Sequence, residues 1–345
     1  MNFGVVTIKD IAKELGISTS AVSKALKDSH EISQKTKILV LDCAKRLNYQ
    51  PNHMAQSLKK GSSKSLGVIV STIDNHFFAQ VINGIESVAH SRGYNIIISQ
   101  THESYELEML NIGHLTHRSI DGLLISLSTE SVDVTHLKNL REKGLPIVFY
   151  DRVSDEIDTH KVIADNYGGA FEATQALIKA GYRKIAHITS AVNVSITAER
   201  LKGYQAALAA HGLEQNEGLI KYCLHGGKDL AEIENALNQL LLSPNRPDAI
   251  FTASDRITTT TLILLHQLGF KIPGDIALLG FTNTPLAEVL NPSLSSVYQP
   301  GFEMGQKAAE MLINLIESKR PVTEFETVVL PTQVFIRNSS QPLAL

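Results

Sequence analysis

The chain has 345 residues, of which 43% are hydrophobic and 19% charged, enough apolar material to bury a large core and too much for a disordered or fibrous protein. The segment from Thr7 to Leu15 is charged where a secretory leader would be apolar, and no apolar run reaches the roughly eighteen residues a membrane span needs. With only Cys43 and Cys223, neither a disulfide framework nor a CxxC site is expected, and a reducing cytoplasm is the expected compartment.

The net charge of −3 hides a division along the chain. Residues 1–65 hold eleven Lys and Arg against five Asp and Glu, whereas the remainder is acidic by nine charges. A basic head attracts a polyanion, and an acidic body resists sticking to it indiscriminately. A solvated Lys-rich tail is the competing reading.

In the head, Ile8, Ile11, Ala12 and Leu15 recur at helical spacing, and Thr7 with Asp10 forms a T-x-x-D capping box. Gly16 and Ile17 make a turn, and Ser18 caps a second helix, Thr19 to Leu26, whose Val22, Ala25 and Leu26 face inward. Ser33 caps a third helix through Leu47, with Ile38, Leu41, Ala44 and Leu47 expected to close a three-helix core. Two short helices joined by a glycine turn form a helix-turn-helix, whose second helix enters the major groove with its first residues on the base edges. Here those residues are Thr19, Ser20 and Lys24. The hydroxyls discriminate weakly alone, while a lysine ammonium suits guanine O6 and N7. Simple helix-start preference for the hydroxyls and a phosphate contact for Lys24 are the competing readings. The polar stretch His53 to Lys60, ahead of Gly61-Ser62-Ser63, is too short to be a stable helix alone and needs its symmetry mate or DNA.

From Leu66 onward, apolar strand-like runs alternate with amphipathic helices. The runs are Leu66 to Val70, Tyr94 to Ser99, Gly122 to Ser126, Ile147 to Tyr150, Ile185 to Thr189, Ala249 to Thr252 and Ile276 to Gly280. Between them lie helices such as Phe77 to Arg92, Ala170 to Ala180, Thr197 to Ala210, Leu230 to Leu242 and Thr258 to Leu268. This rhythm predicts parallel sheets covered on both faces and divided into two lobes. Ligands bind such sheets beyond the carboxyl ends of the strands. The candidates are therefore Asp74 and Phe78 after the first strand, Ser126 and Ser128 after the third, and Asp151 and Arg152 after the fourth. The second lobe offers Arg200, Asp255 and Thr282. A planar guanidinium and several carboxylates in one cleft suit the vicinal hydroxyls of a sugar. Each polar residue has a competing reading as a cap or strand-end group; for Asp255, directly before a helix, that reading is capping, and for Tyr150 it is core packing.

The runs Val6-Thr7-Ile8-Lys9-Asp10-Ile11-Ala12, Val22-Ser23-Lys24 and Asn48-Tyr49-x-Pro51-Asn52 resemble the headpiece of the LacI/GalR family of repressors, and the likeness continues through nearly the whole chain. The resemblance implies an α/β fold with an all-α helix-turn-helix headpiece (1–50), a hinge helix and linker (51–65), and a two-lobed core (66–340) like the periplasmic sugar-binding proteins, crossed three times by the chain. The N-subdomain is expected over about 66–164 and 299–326, the C-subdomain over about 165–298 and 327–340. Implied operator contacts are Thr7, Ser18, Thr19, Ser20, Ser23 and Lys24 in the head and Asn52, Gln56, Leu58 and Lys59 in the hinge, where Leu58 would wedge a flexible central base step of the minor groove. Asp151, Arg200, Asp255 and Gln299 match effector-contact positions. The resemblance implies a homodimer on a palindromic operator; the proline-broken tail after Arg337 carries no heptads, so dimers rather than tetramers are expected.

One departure stands out. Where the family commonly reads Gly-Tyr/Phe-Asp, this chain has Gly280-Phe281-Thr282-Asn283, so a hydroxyl replaces a carboxylate. The lost negative charge raises the expectation of an acidic effector, a uronate or sugar phosphate balanced by Arg200 and Arg152. The stretch 225–229 lacks an aromatic for stacking on a ring, leaving Phe78 or Tyr150 as an apolar wall. No HExxH, GxSxG or GxxxxGK[ST] run appears and the histidines show no metal-ligand spacing, so neither catalysis nor a cofactor is expected. A sugar-metabolising enzyme with an accessory head would leave the helix-turn-helix unexplained, and a transport-type binding protein would not need the basic head.

Overall fold

The computed structural model describes residues 6–49, 62–191 and 194–341. The chain divides into two compact units, 1–63 and 64–345.

The first unit is a three-helix head: α1 (Ile8–Leu15), α2 (Thr19–Leu26) and α3 (Gln34–Arg46). The Asp10 carboxylate accepts from the Thr7 N–H at 2.8 Å and from its hydroxyl at 2.7 Å, and Gly16 closes α1 at φ 64, a left-handed turn that glycine adopts without cost. Ser18 and Ser33 cap the next two helices, accepting from Ala21 N–H at 3.1 Å and Thr36 N–H at 3.2 Å. Ile11, Val22, Ala25, Val40, Cys43 and Ala44 form the core. The expected inner face of α3 is thus corrected: Ile38 and Leu41 are exposed by 58% and 52%. The buried stripe is anchored on Val40, with Cys43, Ala44 and half-buried Leu47 following at three, four and seven residues, which turns Ile38 and Leu41 outward.

The second unit holds two six-stranded sheets. One has the order β11-β5-β4-β3-β1-β2 and contains β1 (Ser65–Val70), β2 (Asn95–Gln100), β3 (Gly122–Ile125), β4 (Ile147–Tyr150), β5 (Lys161–Ala164) and β11 (Thr327–Leu330). The other, β12-β10-β9-β8-β6-β7, contains β6 (Ile185–Thr189), β7 (Ile220–Tyr222), β8 (Ala249–Thr252), β9 (Ala277–Phe281), β10 (Ser295–Tyr298) and β12 (Gln333–Phe335). Helices α4 (His76–Ser91), α5 (Tyr105–His117), α6 (Thr135–Glu142) and α11 (Gly301–Glu317) cover the first sheet; α7 (Asn166–Lys179), α8 (Ser195–Ala210), α9 (Leu230–Leu241) and α10 (Asp255–Gln267) cover the second.

Covered faces explain the continuous apolar strands. Along β1, Leu66, Val68 and Val70 pack against α4 and α11, while Ile69 points the other way toward α5 and α6. Helices α4 and α11 approach backbone to backbone: a Cβ on Gly305 would lie 2.0 Å from the Val81 carbonyl, and one on Gly84 2.1 Å from that of Phe302. The chain crosses between lobes at 165, 299–300 and 331–332.

Two details differ from the sequence reading. Residues 327–330, placed in the C-subdomain, pair parallel with β5 as part of the first sheet, so the last crossover follows Leu330. Strand β12 runs antiparallel to β10, so the second sheet is not wholly parallel.

Candidate functional site

The first residues of α2 meet solvent: Ser18, Thr19, Ser20 and Lys24 are exposed, as is Thr7, and Ser23 is half-buried. Val22 and Ala25 anchor the opposite side of the helix in the core, which holds this face rigidly outward. The Thr7 hydroxyl proton is committed to Asp10, and the Lys24 ammonium is paired with Glu31. Asn52, Gln56, Leu58 and Lys59, with the expected hinge helix, lie outside the described residues.

In the second unit a cleft of about 330 Å³ opens where the carboxyl ends of both sheets face one another. Ser71, Thr72, Asp74, Asn75 and Phe78 line it from the β1–α4 segment, Gln100, His102 and Glu103 from the end of β2, and Arg152 from the end of β4. Ser190, Thr197, His225, Gly226, Lys228, Ser254, Asp255 and Arg256 line it from the second lobe. Of the expected contacts, Asp74, Phe78, Arg152 and Asp255 are therefore brought together at one surface.

Ser126, Asp151, Arg200, Thr282 and Gln299 lie one layer behind that surface, buried to within 5% exposure or less. Arg200 donates to Asn166 Oδ1 at 2.8 Å, to Gln299 Oε1 at 2.6 Å and to the Ala253 carbonyl, and its guanidinium lies 3.8 Å from the Phe281 ring centre. Burial draws its pKa down to about 9, against the opposing pull of Asp151, so it is cationic at neutral pH. Asp151, held in the left-handed region at φ 59, accepts from the Ser126 hydroxyl at 3.4 Å, and burial raises its pKa. Tyr150 is core, donating to the Ile69 carbonyl at 2.6 Å.

The capping alternative for Asp255 falls away, because Ser254 is the cap of α10. Asp255 instead accepts from the Thr282 hydroxyl; burial raises its pKa, and that hydrogen bond opposes the rise. The threonine departure thus has a local consequence: Thr282 supplies Asp255 with a hydroxyl donor, which an ionised carboxylate at 282 would not. Asn283 bonds both Gln80 Oε1, at 2.6 Å, and the Gln299 carbonyl, at 2.7 Å, beside the second crossover.

Glu103 was not anticipated. Burial would push its carboxyl up, but Arg152's charge and hydrogen bond, with two bonds from Thr129 (2.7 and 2.9 Å), hold it at about 2. Both His102 and Glu103 have positive φ, 49 and 69, a turn conformation without a periodic signal; the left-handed tolerance that would mark it belongs to Gly and Asn. Across the cleft mouth Arg256 lies 3.6 Å from Asp74, and Lys228 donates to the His102 carbonyl at 3.3 Å.

Two sequence comparisons decide the lineage of this arrangement. Residues 7–52 match the family described as bacterial regulatory proteins, lacI family, and residues 63–338 match periplasmic binding proteins and sugar binding domain of LacI family. The chain belongs to the LacI family. The LacI-family chain is 32% identical to the ribose operon repressor of Haemophilus influenzae over 97% of its own length and 98% of that protein's. It is 30% identical to the transcriptional repressor PurR of Vibrio campbellii, covering 98% of this chain and 100% of that one. Among solved structures it resembles the transcriptional regulator CelR–cellobiose complex, with 29% identity, a TM-score of 0.69 and coverage of 97% and 99%. This LacI-family member is therefore a DNA-binding transcriptional regulator, with a helix-turn-helix head and an effector-binding core. No helix among its described residues is long and apolar enough to cross a membrane.

Proposed function

We propose that this regulator represses carbohydrate-related genes as a homodimer on a palindromic operator, released or strengthened by a sugar bound in the interlobe cleft, without turnover of that sugar. The observation carrying the sugar reading is the lining itself. Three carboxylates (Asp74, Glu103, Asp255) and three cations (Arg152, Lys228, Arg256) stand among hydroxyls and amides, over a wall supplied by Phe78. Such paired donors and acceptors suit vicinal hydroxyls. Arg152 and Arg256 already have carboxylates beside them, and the Arg200 guanidinium is filled by its own partners. The balance favours a neutral sugar over a uronate or sugar phosphate. The ribose-operon and cellobiose names of the relatives agree with that class.

On the DNA side, Thr19, Ser20 and Lys24 read base edges, Thr7, Ser18 and Ser23 position the head, and Asn52, Gln56, Leu58 and Lys59 act in the minor groove. Asp74, Phe78, Arg152 and Asp255 touch the effector, and Ser126, Asp151, Arg200, Thr282 and Gln299 hold them in place. The test is to incubate the purified protein with fragmented genomic DNA at moderate salt, with and without candidate sugars, and sequence what binds. Enrichment of a short palindrome with a central pyrimidine–purine step beside carbohydrate genes, changed by one sugar, is expected. No enriched site under any condition sinks the assignment of Thr19, Ser20 and Lys24.

A further inference from the structure

A second chamber, about 230 Å³, adjoins the effector cleft and shares two wall residues with it, Arg152 and Val194. It is formed by the loops that follow β3 and β4, closed by the start of α8, and contains Ser128, Ser131 and Ser154 beside apolar Val132, Val134 and Val153. The partition between the two chambers is the Arg152 guanidinium, which bonds Glu103 and, at 3.2 Å, the Thr129 hydroxyl.

The hydroxyls here are oriented from behind by a buried charge. Glu108 is wholly buried, and its carboxylate accepts from the Ser128 N–H and the Ser131 hydroxyl, both at 2.8 Å. Ser128 Oγ lies 2.6 Å from Ser131 Oγ. Because the Ser131 proton goes to Glu108, Ser128 is the donor in that pair, and both hydroxyl protons are committed inward. What Ser128 and Ser131 then offer outward is lone pairs, while Ser154 and Ser195, whose oxygens accept from the Glu156 and Val153 N–H groups, keep their own protons. The Glu156 carboxylate lies on the same wall. The chamber therefore suits a ligand whose hydroxyls both donate and accept, and disfavours an anion. The Arg152 Nε is buried and lies 3.9 Å from Asp151 Oδ2, so the guanidinium is pinned from behind as a fixed wall common to both chambers.

We propose that this chamber takes the second residue of an effector longer than one sugar ring, a neutral disaccharide or glycoside whose two parts share Arg152. The proposal rests on the sugar reading of the cleft and adds the ligand's length and its neutrality at the far end.

The experiment is calorimetric titration of the full-length protein with a panel of neutral monosaccharides, their disaccharides, and the corresponding disaccharides oxidised to a terminal uronate. One or two extra hydrogen bonds predict about tenfold tighter binding of a disaccharide than of its own monosaccharide, with the uronate weaker than the neutral form. Val132→Trp, placed at a rim position 75% exposed, and Ser154→Leu each fill the chamber without touching Glu108. Both are expected to reduce disaccharide affinity to the monosaccharide level while leaving monosaccharide binding unchanged. Monosaccharide and disaccharide binding with equal affinity, or a disaccharide preference that survives both variants, overturns the second chamber and leaves the sugar cleft standing. Absence of binding by every saccharide removes the sugar reading itself, and this proposal with it.

Discussion

Lys24 enters the DNA encounter already paired. Its partner Glu31 follows the recognition helix, and both side chains are about half exposed, 45% and 52%. On a non-cognate duplex the ammonium has little reason to leave the carboxylate; on a site offering guanine O6 and N7 it has a better acceptor. On the proposed role of Lys24, Glu31 is expected to suppress indiscriminate binding more than operator binding. Glu31→Gln should raise affinity for a random duplex about two- to fivefold, the scale of an exposed ion pair, with a smaller gain on the selected operator. Fluorescence anisotropy on both duplexes reads this out. In a Lys24→Gln background the gain should vanish; if it persists, only generic charge removal is at work. Single residues also mark where the sequence could be read. Asp74, Phe78, Arg152 and Asp255 follow strand ends, and the strand-end rule finds them. Glu103 escapes it, because its role depends on an irregular turn and on Arg152, a residue 49 positions away.

At the scale of elements, β6 carries an instructive tension. His187 sits at the middle of β6, the strand next to the edge of the second sheet, fully buried and stacked against both Tyr204 and Phe251, each ring centre 4.9 Å away. Its Nδ1 faces the Phe251 carbonyl at 3.1 Å, so Nδ1 is the protonated nitrogen. Burial lowers its pKa to about 3 from an ordinary 6.5. The unfolded chain takes up this proton as the pH drops below 6.5 and the folded one does not, so stability is full above that pH and is lost as the pH falls toward 3. At about pH 4.5 the loss is on the order of 2–3 kcal/mol. His187→Asn, which keeps a donor for the carbonyl, should be less stable at neutral pH yet lose less of its stability on acidification. Urea midpoints across the range measure the two slopes, and parallel slopes would refute the assignment. Regular elements such as β4, β6 and β8 were legible to the residue because their strands are buried on both faces and read as unbroken apolar runs. Strand β10 (Ser295–Tyr298) has only one aliphatic residue, and α5 turns a carboxylate, Glu108, to the inside; periodicity has nothing to register in either.

For the whole molecule, the lobes present edge strands at corresponding ends, β2 in one sheet and β7 in the other. Ile98, Met109 and Leu110 are 40–50% exposed beside the first, and Tyr222 and Leu224 are 40% and 59% exposed at the second. Unprotected edges flanked by apolar side chains invite a further chain, and a second copy related by a two-fold axis would cover both while supplying the second head of a palindrome. Light scattering should give a dimer mass for the protein and a monomer mass for Leu110→Glu combined with Leu224→Glu, with operator affinity falling at least about tenfold. A dimer that survives both substitutions places the contact elsewhere.

The close fit of α4 against α11 also governs how the molecule comes into being. The first lobe needs Gly305 seated against Val81 and β11 seated beside β5, and those pieces are among the last to be translated. At roughly 5–20 residues per second, the ribosome takes on the order of ten seconds or more to pass from the end of β5 to the end of β11. During that interval the second lobe can close most of its sheet, while the earlier-made half waits with the Gly84 face of α4 uncovered. The first lobe is thus begun first and completed last, so its N-terminal half is the stretch for which shielding during synthesis matters most.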